Sequence, residues 1–268
     1  MQRAMLHYSY TISMIFMKKT LLVSAILASI YGVSAFAAPA APNQATAATG
    51  AKGAESAAVL SQAGSVANAA TLAGLTSVDL TQQGGTSNTA NITTSGAANV
   101  TQQGDAATND LTINASATTA NVVQTGVANT ATINTTSDVA LSQTASAGNN
   151  AATIATNANV DATANVDLTQ TATAGNNAAT ITTDGAVNVS QNASGDNTAT
   201  ITTAGAVNVD QTAGGSNDLT VSTNGDITVA QLSTGDTSNN VANITSTGDL
   251  NIAQQGGANN TLNVNVAQ

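Results

Sequence analysis

Beyond residue 37 this 268-residue sequence has no Cys, His, Met, Arg, Phe, Tyr or Trp, and its one basic residue there is Lys52. No Ser-His-Asp or Cys-His arrangement can be assembled from such a set, and metal sites built on His or Cys are excluded. Paired Asp carboxylates could serve as acid and base, but they stand in short polar stretches with no hint of a pocket, so we read them as solvated turns. The G-G-x-G-x-D nonapeptide of calcium-binding β-rolls is missing. The sequence therefore offers no catalytic residue, no cofactor site and no metal site, and it does not read as an enzyme.

Other absences narrow the class further. No apolar run after residue 37 approaches the roughly 20 residues of a membrane helix, so no membrane span is expected. Fourteen acids against Lys52 leave −13 beyond residue 37, more than the −10 of the whole chain. An acidic surface of this kind lacks the basic footprint that nucleic acid requires. Without Phe, Trp or Met, any core must be built from small aliphatics. Such a core is thin, which suits two sheets pressed face to face.

The N-terminus reads as an export signal. Met17-Lys18-Lys19 precedes an apolar run from Leu21 to Val33, and Ala35-Phe36-Ala37 follows. A basic segment, an apolar segment and an A-x-A site in that order define a secretory signal peptide, 17–37, cut after Ala37. Residues 1–16 fit no part of it and read as a misassigned upstream start. With no Cys after the cut, lipid anchoring there is not expected. Residues 38–57 form an Ala-rich segment read as flexible, and 58–268 carry ten repeats.

Those repeats are the main positive signal. Glutamines recur at Gln62, Gln82, Gln102, Gln124, Gln143, Gln170, Gln191, Gln211, Gln231 and Gln254. Each is answered by an asparagine: Asn68, Asn88, Asn109, Asn129, Asn150, Asn177, Asn197, Asn217, Asn240 and Asn260. The first and last Gln lie 192 residues apart over nine intervals, a period of about 21, which marks stacked supersecondary units. Apolar residues stand two and four positions before each Gln, as in Val187 and Val189 before Gln191. They also stand two and four positions after each Asn, as in Ala199 and Ile201 after Asn197. A spacing of two puts all of them, with the amides, on one face of a strand.

Each repeat thus reads as strand, turn, strand, turn, and the fold class as all-β: a solenoid of about ten rungs with two stacked parallel sheets. A buried amide left unsatisfied costs roughly 1–3 kcal/mol. Its natural partner is the same amide one rung away, so Gln and Asn ladders are expected in the core. Insertions fall in the turns, the largest from Ala155 to Ala164. Glycines such as Gly84, Gly104 and Gly256 in the first turn, and Gly185, Gly205, Gly225 and Gly248 in the second, are expected to supply positive φ.

The residues now on the page resemble curlin, the subunit of curli, an extracellular functional amyloid of Gram-negative bacteria. Curlin repeats read Ser-x5-Gln-x-Gly-x-x-Asn-x-Ala-x3-Gln at a similar period. The Q-x-G piece stands at Gln62-Gly64, Gln82-Gly84, Gln102-Gly104, Gln124-Gly126 and Gln254-Gly256. The N-x-A piece stands at Asn68-Ala70, Asn88-Ala90, Asn129-Ala131, Asn150-Ala152, Asn177-Ala179, Asn197-Ala199 and Asn240-Ala242. Departures are a leading Ser that is mostly Gly or Thr, a closing Gln replaced by Thr, Asn or Ser, and ten rungs rather than about five. The Ala-rich segment from Ala38 to Ser56 also differs from curlin's Gly-rich export signal.

The resemblance implies a secreted subunit that polymerises with itself into cell-surface fibres for adhesion and biofilm. It also implies a nucleator subunit, an outer-membrane export pore and a periplasmic chaperone as partners. The sequence's own features agree with open ends: no charged cap is visible, and Val264-Asn265-Val266-Ala267-Gln268 alternates uncharged and apolar. Asp residues in turns would act as gatekeepers against premature pairing. Two other readings stand beside this one. One is a monomeric solenoid adhesin or spacer. The other is an ice-binding solenoid, suggested by outward Thr93, Thr180, Thr182, Thr200 and Thr202, in a ladder broken by Asn91, Asn134, Ala155 and Asn243.

Overall fold

The computed structural model describes residues 43–48, 57–64, 66–115, 119–156 and 163–266. Residues 1–16 and the segment 17–37 read as a signal peptide lie outside the described residues, as does most of the 155–164 insertion. Alternation of apolar and polar side chains makes every described element a strand. The chain places its glutamines in ten of them: β2 (Ala57–Ala63), β4 (Ser77–Gln83), β6 (Ala98–Gln103), β8 (Ala120–Gly126), β10 (Val139–Ala145), β12 (Val166–Ala172), β14 (Val187–Ala193), β16 (Val207–Ala213), β18 (Ile227–Ser233) and β20 (Leu250–Gly256). These form one parallel sheet in chain order.

The asparagines that answer them, Asn68 to Asn260, lie in the second sheet. It consists of β1 (Asn43–Ala48), β3 (Ala67–Leu75), β5 (Ser87–Thr94), β7 (Thr108–Ala115), β9 (Ala128–Thr135), β11 (Asn150–Thr156), β13 (Asn177–Thr182), β15 (Asn197–Thr202), β17 (Asn217–Thr223), β19 (Asn239–Ser246) and β21 (Asn259–Val266). Its order also follows the chain, so each rung adds one strand to each sheet. The molecule is a two-sheet β-solenoid. No helix among the described residues is long and apolar enough to cross a membrane.

Register is held identically from rung to rung. Ile133, Ile154, Ile181 and Ile201 stand over one another in the asparagine sheet, and Val166, Val187, Val207 and Ile227 do so in the glutamine sheet. Within β14 the odd members face inward and the even ones face solvent. Leu80, Ile92, Leu111, Ile133, Leu168 and Ile201 are among the side chains lost to solvent. Each such Leu or Ile contributes about 1.5–3 kcal/mol relative to exposure. The core is narrow and continuous rather than globular, since a side chain packs against its own rung and the rungs on either side.

Two features differ from the sequence expectation. Strand β1 lies inside 38–57, the segment read as a flexible extension; Asn43 pairs with Asn68, Ala45 with Ala70 and Ala47 with Leu72, in phase with the repeats. It carries no Gln-bearing companion and only Ala at the apolar positions, which hides it in a sequence search. The glycines differ too. Positive φ among the described residues occurs at Gly74, Gly84, Gly85, Gly256 and Gly257 alone. Gly205, Gly225 and Gly248 are needed for another reason: a Cβ on any of them would stand 2.5 Å from the carbonyl carbon of the glycine one rung before. Backbones stack there with no room for a side chain.

Candidate functional site: the amide ladders and the end rung

Both amide columns are built by the strand alternation, which turns Gln and Asn inward at the first turn of each rung. From Gln62 to Gln231 and from Asn68 to Asn240 every one of these side chains is buried. In the last rung Gln254 is half-buried and Asn260 exposed, because no further rung lies over them among the described residues. The Gln column runs unbroken. Gln82 Nε2 donates to Gln62 Oε1, Gln102 to Gln82, Gln124 to Gln102, Gln143 to Gln124 and Gln170 to Gln143, each at 2.8 Å. Gln191, Gln211, Gln231 and Gln254 continue it at the same distance.

The Asn column is equally continuous but runs the other way. Asn68 Nδ2 donates to Asn88 Oδ1 at 2.7 Å, and the sense is kept through Asn109, Asn129, Asn150 and Asn177. It goes on through Asn197, Asn217 and Asn240 to Asn260 Oδ1. Glutamine hydrogens therefore point toward the first rung and asparagine hydrogens toward the last.

The second hydrogen of most of these amides closes the turn. Gln143 Nε2 also donates to the Ala151 carbonyl at 3.0 Å and Gln191 Nε2 to that of Thr198 at 3.0 Å. Asn197 Nδ2 donates to the Thr212 carbonyl at 2.7 Å and Asn217 Nδ2 to that of Leu232 at 2.9 Å. Each column thus holds its neighbouring rung and ties the two sheets at their shared edge. Among the described residues no buried side-chain N or O lacks a hydrogen-bond partner.

A third buried polar column escaped sequence reasoning. Thr94, Thr135, Thr156, Thr183, Thr203 and Thr223, with Ser246, stand six positions after their Asn and are buried at the second turn. Thr203 Oγ1 donates to the Gly185 carbonyl one rung earlier and accepts the Gly205 N–H at 3.0 Å. Thr223 repeats this with Gly205 and Gly225. The signal was present, as a Thr-x-Gly spacing before Gly96, Gly185, Gly205 and Gly225 and a Ser-x-Gly spacing before Gly248. Thr reads equally well as strand surface, so its inward position is visible only once the turn is built.

The surface is polar outside these columns. All twelve described Asp residues are exposed, including Asp138, Asp196, Asp226 and Asp249 in turns. Several cap the next rung: Asp138 Oδ1 accepts the Asn165 N–H at 2.8 Å and Asp196 Oδ1 the Ser216 N–H at 2.7 Å. Thr93, Thr180, Thr182, Thr200 and Thr202 all face solvent. Among the described residues no three His, Cys, Asp or Glu side chains gather as a metal site.

Among the described residues, the last rung is where the interior reaches the surface. Leu262, Val264 and Val266 are 46%, 42% and 53% exposed, on a strand whose eight residues are all exposed. Leu250 and Ile252 beside them are half-buried. Gln254 Oε1 ends its column as an acceptor and Asn260 Nδ2 ends its own as a donor. No family model, no curated protein and no solved structure matches the chain.

Proposed function

We propose that this chain is a secreted structural subunit that stacks end to end into curli-like amyloid fibres on the surface of a Gram-negative bacterium. The fibres would serve adhesion and biofilm matrix. One observation carries the reading: the end rung presents an apolar, strand-phased edge. Exposed Leu262, Val264 and Val266 form an apolar strip. Gln254 and Asn260 flank it with the open ends of the two columns. Parallel strands at an unprotected edge pair with further strands of matching phase. The exposed carboxylates would slow that pairing without entering the core.

The same reading makes the chain a non-catalytic protein. It brings with it the partners of curlin: a nucleator subunit, a periplasmic chaperone and an outer-membrane pore. The signal peptide 17–37 supports export. A test is to dilute purified residues 38–268 from denaturant and follow thioflavin T. Fibres whose aligned diffraction shows spacings near 4.7 and 10 Å are expected after a lag. A soluble monomer that unfolds cooperatively and yields no fibre over days at micromolar concentration would favour the solenoid adhesin instead.

A further inference from the structure

The open end of the last rung is complementary to itself. β20 and β21 are joined by the short turn 257–258 and run in opposite directions across the core. Gln254 and Asn260 face each other on either side of that turn, and Gln254 Nε2 donates to the Thr261 carbonyl at 3.1 Å. Toward the end of the stack Gln254 presents an acceptor oxygen and Asn260 a donor hydrogen. A column that ends in an acceptor thus stands beside one that ends in a donor.

We propose that two copies pair tail to tail through this rung, about a two-fold axis that runs parallel to its strands and between its two sheets. The contact is isologous, the same patch serving on both copies. It sets β20 of one copy antiparallel against β21 of the other, twice over. The pair involves only the last rung, and it forms whether or not the chain goes on to build fibres. Three observations fix this geometry.

The first is the fit of the amides. The rotation carries Gln254 of each copy over Asn260 of the other, so each open oxygen meets an open N–H. Two hydrogen bonds form across the axis, and each column continues into the partner. A two-fold axis perpendicular to the sheets would instead lay β20 on β20. Each amide would then face the apolar far end of the partner strand, near Leu250, and lose its hydrogen bond.

Second, the backbone has the right phase. The Ile227 N–H donates to the Asp249 carbonyl of the next rung at 2.8 Å, and the Asn197 N–H to that of Ser216 at 2.9 Å. Both residues face inward. Register carries their pattern to Leu250, Ile252 and Gln254 in β20 and to Asn260, Leu262 and Val264 in β21. These are the residues that turn backbone N–H and C=O toward the open end. With Gln254 opposite Asn260, Ile252 falls opposite Leu262 and Leu250 opposite Val264. Every one is then a hydrogen-bonded pair of an antiparallel ladder. The same register lays the exposed Leu262 and Val264 of each copy on Ile252 and Leu250 of the other, burying the apolar strip.

Third, the contact is uncharged. No charged residue lies between Leu250 and Val266, although the chain carries −13 beyond residue 37. Two acidic copies therefore meet with no carboxylate inside the contact. A last rung held in this pair is closed to any further copy. Pairing and growth from that end exclude one another.

Ala253 and Thr261 are exposed on the outer faces of β20 and β21. In the proposed register they stand opposite one another as a non-hydrogen-bonded pair, about 4.5 Å apart at Cα, within the range a disulfide spans. The sequence has no cysteine, so introduced thiols are unambiguous reporters. Freshly refolded chain should sediment as a dimer in concentration-dependent equilibrium with monomer, and Leu262→Lys should abolish the dimer. On oxidation, Ala253→Cys copies mixed with Thr261→Cys copies should yield a disulfide-linked dimer, and either variant alone should yield none. A mixture without that dimer, equal cross-linking by one variant alone, or a parent chain that stays monomeric across micromolar concentrations would overturn the proposal. Thioflavin T on the same samples judges the fibre reading separately. Fibres without the cross-link retain stacking and remove the pair, and the cross-link without fibres does the reverse.

Discussion

Gln170 Nε2 reaches Gln143 Oε1 at 2.8 Å although 27 residues separate the two. Elsewhere in the column the separation is 19 to 23 residues, and the distance is the same. The extra chain between β11 and β12 leaves the register of both sheets untouched, with Val139 over Val166 and Asn150 over Asn177. Deleting 157–162 should therefore be tolerated. The expected change in unfolding free energy is under about 1 kcal/mol, since loop length enters closure entropy only logarithmically. Denaturant titration of the deletion beside the parent checks it. A loss of several kcal/mol would mean that the insertion braces the stack.

Interior and end amides should separate by readout. Gln211→Ala removes the donor to Gln191 Oε1 and the acceptor of Gln231 Nε2, both in the core. A destabilisation of roughly 1–3 kcal/mol is expected. Gln254 is half-buried with one column neighbour, so Gln254→Ala should cost the isolated chain under about 1 kcal/mol yet slow elongation. Thr200→Ser and Thr202→Ser change exposed side chains and should be close to neutral in both assays. Equal behaviour of the Gln211 and Thr200 variants would contradict the assignment of faces.

The sequence showed the amide columns and the aliphatic core because a period of two allows only one inward set. Val187, Val189, Gln191 and Ala193 cannot face inward unless Asn188, Ser190 and Asn192 face out. Three features were less legible. β1 has neither a Gln partner nor a large aliphatic, so Asn43, Ala45 and Ala47 look like linker composition. The direction of most amides goes with the carbonyl that the second hydrogen meets, as at Thr212 for Asn197, and no residue letter encodes it. Thr203 and its counterparts read as surface because only the built turn brings the previous rung's carbonyl into reach.

The glycine column offers a sharper test than φ would. Gly205→Ala would drive a Cβ to 2.5 Å from the Gly185 carbonyl carbon, against backbone that cannot rotate away. Overpacking of this kind costs about 1–3 kcal/mol. The variant should lower the midpoint of thermal or denaturant unfolding even though Gly205 has no positive φ. An unchanged midpoint would show that the rungs can separate locally.

Charge should govern how fast copies meet. With −13 beyond residue 37 and every described Asp exposed, the approach of two copies is repulsive at neutral pH. Added salt at pH 7 should shorten the lag by screening. Lag times measured across a salt series check this, and indifference to salt would remove the carboxylates from control of assembly.

The opposed sense of the two amide columns has an electrical consequence. A helix sums its peptide dipoles into about half an elementary charge at each end. Here one column of amide dipoles runs up the axis and the other runs down, rung for rung. Their moments cancel within each layer. Rungs can therefore be added to the two columns without building up amide polarity along the axis, and a long stack ends in the same amide field as a short one.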